Sequence, residues 1–212
     1  MFPVRDNVPS KTVPFVNVGL IALNLAVFWH ELVLGRRLEP FLLTHGLVPA
    51  HPTPEGVLTS MFLHGGWLHV LGNMWFLWVF GDNVEDRLGH FRYLGFYLLC
   101  GVAAALIQVV SAPHSRLPVV GASGAIAGVL GAYLLFFPKA KVTTLIPIFI
   151  IIPYLAEIPA FLFLGVWFIM QLYAGTLSLG ARFADVAWWA HVGGFAAGML
   201  LAFRWGRRKA KG

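Results

Sequence analysis

A serine and a histidine, far apart in the chain, each stand at the head of a run of small residues. Ser123 sits in Gly121-Ala122-Ser123-Gly124-Ala125-Ile126-Ala127-Gly128, where an apolar helix-compatible stretch begins that runs to Phe137 and stops at Pro138. A helix N-terminus carries partial positive charge and unpaired N–H groups. A serine there is suited to form an alkoxide or to stand beside a tetrahedral oxyanion. His191 sits in Ala190-His191-Val192-Gly193-Gly194, with Gly198 one turn further on. Gly124 and Gly128 make one Gly-xxx-Gly face, and Gly194 and Gly198 make a second. Such faces allow helix backbones to approach closely. If the two faces meet, Ser123 and His191 lie together above the contact as nucleophile and base. No carboxylate is expected beside them, because Glu157 and Asp185 fall near the membrane faces. A dyad is therefore expected, not a triad.

His69 and Asn73 are four residues apart and share one face of a helix. Both can donate hydrogen bonds, which suits them to the oxyanion formed when Ser123 attacks a carbonyl. His64 lies five residues before His69, about 140° around a continuous helix. It is assigned a structural role, bonding the long loop that precedes it. Other readings compete. Gly-Ala-Ser-Gly alone is also a small-residue packing face, and His191 alone is also a core histidine. A metal site fits poorly. His64 and His69 are not at i, i+4, and His30-Glu31-Leu32-Val33-Leu34 lacks the second histidine of a zinc-protease helix. No metal is expected.

The elements that must position these residues are membrane spans. The chain is 58% hydrophobic and 11% charged, against about 25% charged in soluble domains. The net charge is +6, but its placement argues against nucleic acid as the partner. Arg204, Arg207, Arg208, Lys209 and Lys211 crowd the C-terminus after an apolar segment, as a cytoplasmic flank does. Cys100 is the single cysteine, so no intrachain disulfide is available. The first apolar run has no convincing small-x-small cleavage site after it and is read as a retained helix. The fold expected is an all-α bundle of six transmembrane helices, at about 14–30, 61–80, 91–111, 123–137, 158–175 and 188–205. A short cytoplasmic lead, residues 1–13, precedes the membrane domain of residues 14–205, and a basic tail, residues 206–212, follows it. Gly81-Asp82-Asn83-Val84-Glu85-Asp86-Arg87-Leu88-Gly89 is read as the polar turn after the second span. Residues 31–60 are too polar and Pro-rich to span and are read as lying in the interface. Residues 142–157, interrupted by Pro147 and Pro153, are read as buried or interfacial and not as a span. Eleven of the fifteen Lys and Arg residues then fall on the inner side, which sets both termini inside, N-in and C-in.

Polar residues inside spans need a reason. Counted from the inner flanks at about 1.5 Å per residue, His69 and His191 lie roughly 20 Å up and Ser123 roughly 24 Å up. Three helices thus present polar groups at one depth, in the outer half of the bilayer. Trp75, Trp78, Trp167, Trp188, Trp189 and Trp205 are read as interfacial or packing aromatics.

Together these residues resemble the rhomboid intramembrane serine proteases. Gly121-Ala122-Ser123-Gly124, His64-xxxx-His69-xxx-Asn73, Ala190-His191-xx-Gly194-xxx-Gly198 and Glu85-Asp86-Arg87-Leu88-Gly89 carry the resemblance, which covers about residues 14–205. It implies that Ser123 is the nucleophile and His191 the general base. It implies that His69 and Asn73, with the Ser123 N–H, form the oxyanion hole, and that the protein is a serine endopeptidase needing no cofactor. The implied substrates are transmembrane segments of other membrane proteins, unwound near their outer ends within the lipid bilayer. The fifth helix and the loop before the sixth are implied to act as a lateral gate. Two departures stand out. Some relatives carry an aromatic residue four positions after the serine to stack on the base, where this chain has Ala127, so His191 must be held in another way. The first loop lacks an adjacent Trp-Arg pair and offers His30-Glu31 and Arg36-Arg37 instead. The alternatives are a catalytically silent relative that binds transmembrane clients, and a channel or transporter, for which more midplane charge is expected. Nothing in the sequence specifies an oligomeric state. The compact six-span core and bare termini place the expected setting in a prokaryotic cytoplasmic membrane.

Overall fold

Chain breakers set the limits of the long helices. A computed structural model describes residues 1–148, 152–179 and 186–206. After a strand, β1 (Phe2–Asp6), helix α1 (Phe15–Leu34) starts behind Pro14 and stops at Gly35, whose φ of 52° is left-handed. A 3₁₀ turn (Gly35–Arg37) leads to the short α2 (Leu38–His45), and α3 (Pro54–Thr59) follows. In α3, Thr53 Oγ1 accepts from the Gly56 N–H and Pro54 occupies the first turn. Then come α4 (Trp67–Leu88), α5 (His90–Ser111), α6 (Ser123–Phe136), strands β2 (Lys141–Ile148) and β3 (Ile152–Pro159), α7 (Ala160–Ser178) and α8 (Trp188–Gly206). Three helical segments are long and apolar enough to cross a membrane by length and composition: Phe15–His45, His90–Ser111 and Ala160–Ser178. Ser123–Phe136 is a shorter apolar helix.

Helix α6 is the centre. Every residue from Gly124 to Tyr133 is buried, enclosed mainly by α8, α5 and α4. Its contact with α8 is backbone on backbone. A methyl group on Gly194 would lie 1.9 Å from the Gly124 carbonyl oxygen, and one on Gly198 would lie 2.0 Å from that of Gly128. At such distances Cα–H groups rest on carbonyl oxygens, a weak attraction repeated along the interface.

Several expectations are corrected. The fold is mostly helical but not all-α. Across 142–157, Lys141–Ile148 and Ile152–Pro159 supply two paired antiparallel strands in the register Thr143↔Glu157 and Leu145↔Leu155, and β1 adds to β2 in a three-stranded sheet of order β1-β2-β3. Val142, Thr143, Thr144, Ile146 and Ile148 are β-branched and favour strand. The third strand comes from residues that read as a polar lead. The expected turn at Gly81–Gly89 is helical up to Leu88, and only Gly89, at φ 84°, ends it. Its acidic residues secure the chain ahead of α1. Buried Glu85 accepts from the N–H groups of Val16 (3.1 Å) and Asn17 (2.7 Å), capping α1 from another helix. Asp82 accepts from Ser10 and Asp86 from Thr12. The second helix begins at Trp67, not near residue 61, because Gly65-Gly66 interrupts it. Arg182, Asp185, the basic residues at 207–211 and the centre of the loop before α8 lie outside the described residues.

Asp6 joins β1 to the α6 helix. Its carboxylate accepts from the Tyr133 hydroxyl, from Asn83 Nδ2 at 3.1 Å and from the Val8 N–H at 3.3 Å. Burial pushes the Asp6 carboxyl up to about 6, with repulsion from Asp82 adding to it against the pull of the Tyr133 hydrogen bond. A carboxyl raised in the folded state favours folding most when protonated. This contribution is complete below pH 4 or so, the unfolded range, and is lost as pH rises through about 6. Backbone amides of β1 should therefore show higher hydrogen-exchange protection at pH 5 than at pH 7.5 after correction for intrinsic rates. Asp6→Asn should flatten that difference, and protection that rises with pH would contradict the assignment.

Candidate active site

Ser123 is the first residue of α6 and Ala122 supplies no side-chain cap. The first intrahelical bond runs from Ile126 N to Ala122 O (3.0 Å). The N–H groups before it therefore face the end of the helix, where negative charge is favoured. His191 enters from the first turn of α8. Its Nε2 lies 2.8 Å from Ser123 Oγ, a hydrogen bond across 68 residues of sequence. The glycine contacts between α6 and α8 begin directly below this pair, so the close backbone approach sets the distance between the two side chains.

His69 and Asn73 project from α4 toward the same place. The Gly65 N–H approaches His69 Nδ1 at 3.4 Å, which makes Nδ1 the acceptor and leaves the proton on Nε2. That Nε2 faces Gly121, where a methyl group would lie 2.7 Å from it and 3.6 Å from Ser123 Oγ. Gly121 has φ 132°, conformational space that L side chains rarely enter, and its N–H donates to the Ser60 carbonyl at 2.9 Å. Asn73 is buried, and its Nδ2 has no hydrogen-bond partner among the described residues. An idle buried donor costs stability, which makes it a candidate for a ligand atom. An open cavity of about 1540 Å³ lies over the serine end of α6, with His69, Asn73, Ser123 and His191 in its wall.

The structure departs from expectation at His64. Its ring does not bond the first loop. The ring is buried against Phe28 of α1 (centroids 6.5 Å) and His69 (5.2 Å), and neither ring nitrogen has a partner among the described residues. The expected 140° separation from His69 fails because residues 64–66 precede the helix. The His64 N–H, not the ring, makes the tie, donating to buried Glu31 of α1 at 3.1 Å. Glu31 of the His30-Glu31 pair thus anchors the segment that leads into α4.

Two residues escaped the sequence reading. Gln171 of α7 places Oε1 2.7 Å from His191 Nδ1. Gln108 of α5 accepts from the Ala190 N–H at 3.2 Å and so steadies the start of α8. Both are buried amides in apolar helices, and that cost in lipid was the signal available. Trp167 and Trp188 do more than line an interface, since their ring centroids lie 6.0 Å and 6.1 Å from that of His191. Among the described residues no group of three or more His, Cys, Asp or Glu side chains is placed to hold a metal ion.

This arrangement can support acyl transfer. It offers a hydroxyl bonded to a base, a helix N-terminus beside it, two further donors and a cavity above. Comparison with known proteins gives the family. The rhomboid domain profile matches residues 54–208. The chain is similar to Rhomboid protein 1, mitochondrial, of Saccharomyces cerevisiae, with 28% identity over 191 residues, 86% of this chain and 51% of that protein. It is also similar to Presenilin-associated rhomboid-like protein A, mitochondrial, of Danio rerio (31% over 186 residues, 85% of this chain and 45% of that protein). RHOMBOID-like protein 5 of Arabidopsis thaliana shares 31% over 153 residues, 69% of this chain and 42% of that protein. The chain spans about half the length, or less, of these curated relatives. Two of the three are named mitochondrial, so the expected prokaryotic membrane finds no support among them. With a domain match over most of its length and the motif residues gathered at one site, the chain belongs to the rhomboid family.

Proposed function

We propose that this protein is an intramembrane serine endopeptidase that cleaves transmembrane segments of other membrane proteins. The observation that carries the reading is the 2.8 Å hydrogen bond between Ser123 Oγ and His191 Nε2, in a chain whose apolar helices suit a lipid bilayer. In this reading α1, α4, α5, the shorter α6, α7 and α8 lie across the bilayer with both termini inside. The membrane domain covers residues 14–205, and α7 with the loop before α8 forms the side through which a substrate helix enters.

The chemistry follows from the donors and acceptors present. His191 Nε2 takes the proton as Ser123 Oγ attacks the scissile carbonyl. The Ser123 N–H, His69 Nε2–H and Asn73 Nδ2–H donate to the oxyanion. His191 then gives the proton to the departing amine, and the peptide bond breaks to leave an acyl-enzyme. Water from the cavity, deprotonated by the same nitrogen, releases the acid and restores the serine. The proton inventory closes with no group beyond these residues and water.

A fluorophosphonate probe tests the reading, because it reacts with a serine only where a base activates the hydroxyl and the site admits water. Detergent-purified wild type is expected to label, and Ser123→Ala and His191→Ala are expected to lose labelling while staying folded. A well-folded wild type that resists the probe would overturn the protease assignment and bring forward the reading as a silent, client-binding relative.

A further inference from the structure

We infer that Gln171 is a positioning residue for the base: it fixes His191 in the tautomer and orientation that leave Nε2 free to accept the Ser123 proton. The inference rests on the reading of Ser123 and His191 as nucleophile and base. It answers how the imidazole is held when Ala127 offers no ring to stack on it.

One group in this chain of contacts has a fixed polarity. The Trp167 carbonyl, one turn below Gln171 on α7, can only accept. It lies 3.3 Å from one end of the Gln171 amide, so that end is the NH₂ group, Nε2. The other end is then the carbonyl oxygen, Oε1, which lies 2.7 Å from His191 Nδ1. An oxygen without a proton requires a donor opposite it, so Nδ1 carries the imidazole proton. The neutral ring has one N–H, and Nε2 therefore presents its lone pair to Ser123 Oγ, which donates to it at 2.8 Å. Turning the amide over would set Oε1 against the Trp167 carbonyl and reverse every later bond. The result is a directional chain across three helices: the α7 backbone, Gln171, His191 of α8 and Ser123 of α6.

The rest of the environment suits this role. Gln171 is 6% exposed, so water does not compete for Nδ1. Trp167 and Trp188 flank the imidazole, one tilted by 35° and the other edge-on at 89°, and limit its swing. An amide performs the orienting task of a triad carboxylate without burying a charge in the bundle, which would be costly there. Helix α7 is itself tied to α8 on the same side, by Trp189 Nε1–H to the Gly175 carbonyl (3.1 Å) and by the Phe168–Phe195 stack (4.6 Å).

Two readouts test it, one independent of catalysis. The ring nitrogens of ¹⁵N-histidine-labelled protein, with the His191 signals assigned by their loss in His191→Ala, should show a protonated Nδ1 and a bare Nε2 in wild type. In Gln171→Leu that preference should be lost, and the fluorophosphonate labelling rate should fall about tenfold, the worth of one hydrogen bond. Its melting temperature should stay near wild type. Gln171→Glu restores an acceptor, so it should recover labelling at high pH. The acid limb of its rate profile should move to higher pH, because a carboxylate beside the ring favours the imidazolium. A protonated Nδ1 in Gln171→Leu as in wild type would overturn the inference. So would a labelling rate that falls only in step with melting temperature in both variants, with no change in the tautomer or the pH profile. A wild type that does not label at Ser123 would defeat the protease reading instead, and the nitrogen spectra would still decide the tautomer.

Discussion

Gly194→Ala should destabilise the protein by about 3 kcal/mol, the upper part of the range for overpacking a dense interior, and lower its melting temperature by about 6–12 °C. The added methyl group would sit 1.9 Å from the Gly124 carbonyl oxygen and 2.9 Å from its carbon. Those are backbone atoms of the central helix, so no side chain can swing away to make room. The helices must separate, and separation acts first on the pair directly above, Ser123 and His191. Fluorophosphonate labelling should fall along with stability. Gly198→Ala, 2.0 Å from the Gly128 carbonyl oxygen, should behave alike. The control is Gly165→Ala on α7, where nothing lies within 4 Å of the added methyl. There the gain in helix propensity should leave stability equal or slightly higher. Equal melting temperatures for Gly194→Ala and Gly165→Ala would show that the α6–α8 contact is looser than described.

Gly121→Ala should leave the protein folded but slow the chemistry about 100-fold, the effect of losing one oxyanion donor. Two causes add. At φ 132° an alanine is strained, and its methyl group would lie 2.7 Å from His69 Nε2. The imidazole, at the cavity wall, is the part able to move, and it moves away from the oxyanion. The Ser123–His191 bond lies on the far side of the serine, with Oγ 3.6 Å from that methyl, and should persist. Cleavage rate and melting temperature should therefore part company: a large loss in kcat, little change in KM and a small change in Tm. Wild-type turnover in Gly121→Ala would remove His69 from the proposed oxyanion site.

The two substitutions test different layers of one design. Gly194 and Gly198 bring two backbones together, which places the His191 imidazole beside the Ser123 hydroxyl. Gly121 turns the chain just before the helix, which places a third group on the other side of the same hydroxyl. In both cases the glycine acts through the space it leaves open to a functional neighbour.

Much of this was legible in the chain because it is local. Apolar runs bounded by Pro14 and Pro138 mark helices whatever surrounds them, whereas the helix ends at Gly35 and Gly89 lie beyond the spans expected from the sequence. Small residues at intervals of four define a face on any helix, so Gly124, Gly128, Gly194 and Gly198 announced a close contact before any fold was known. Ser123 at a helix start and the spacing of His69 and Asn73 are likewise local geometry, and they identified the candidate site. His64 shows the limit. The angle of about 140° to His69 holds only on a continuous helix, and one interruption at Gly65-Gly66 brings the two rings to 5.2 Å.

Pairings between distant residues follow from the packing of the whole chain. The sheet needed β1, whose Asp6 meets Tyr133 across 127 positions. The cap on α1 needed Glu85 from the end of α4. The hydrogen bond at His191 Nδ1 needed an amide from α7, chosen among many apolar neighbours by how one helix packs on the next. A side chain's type and period follow from its own stretch of sequence. Its hydrogen-bond partner depends on which surfaces are buried together, and burial belongs to the whole chain.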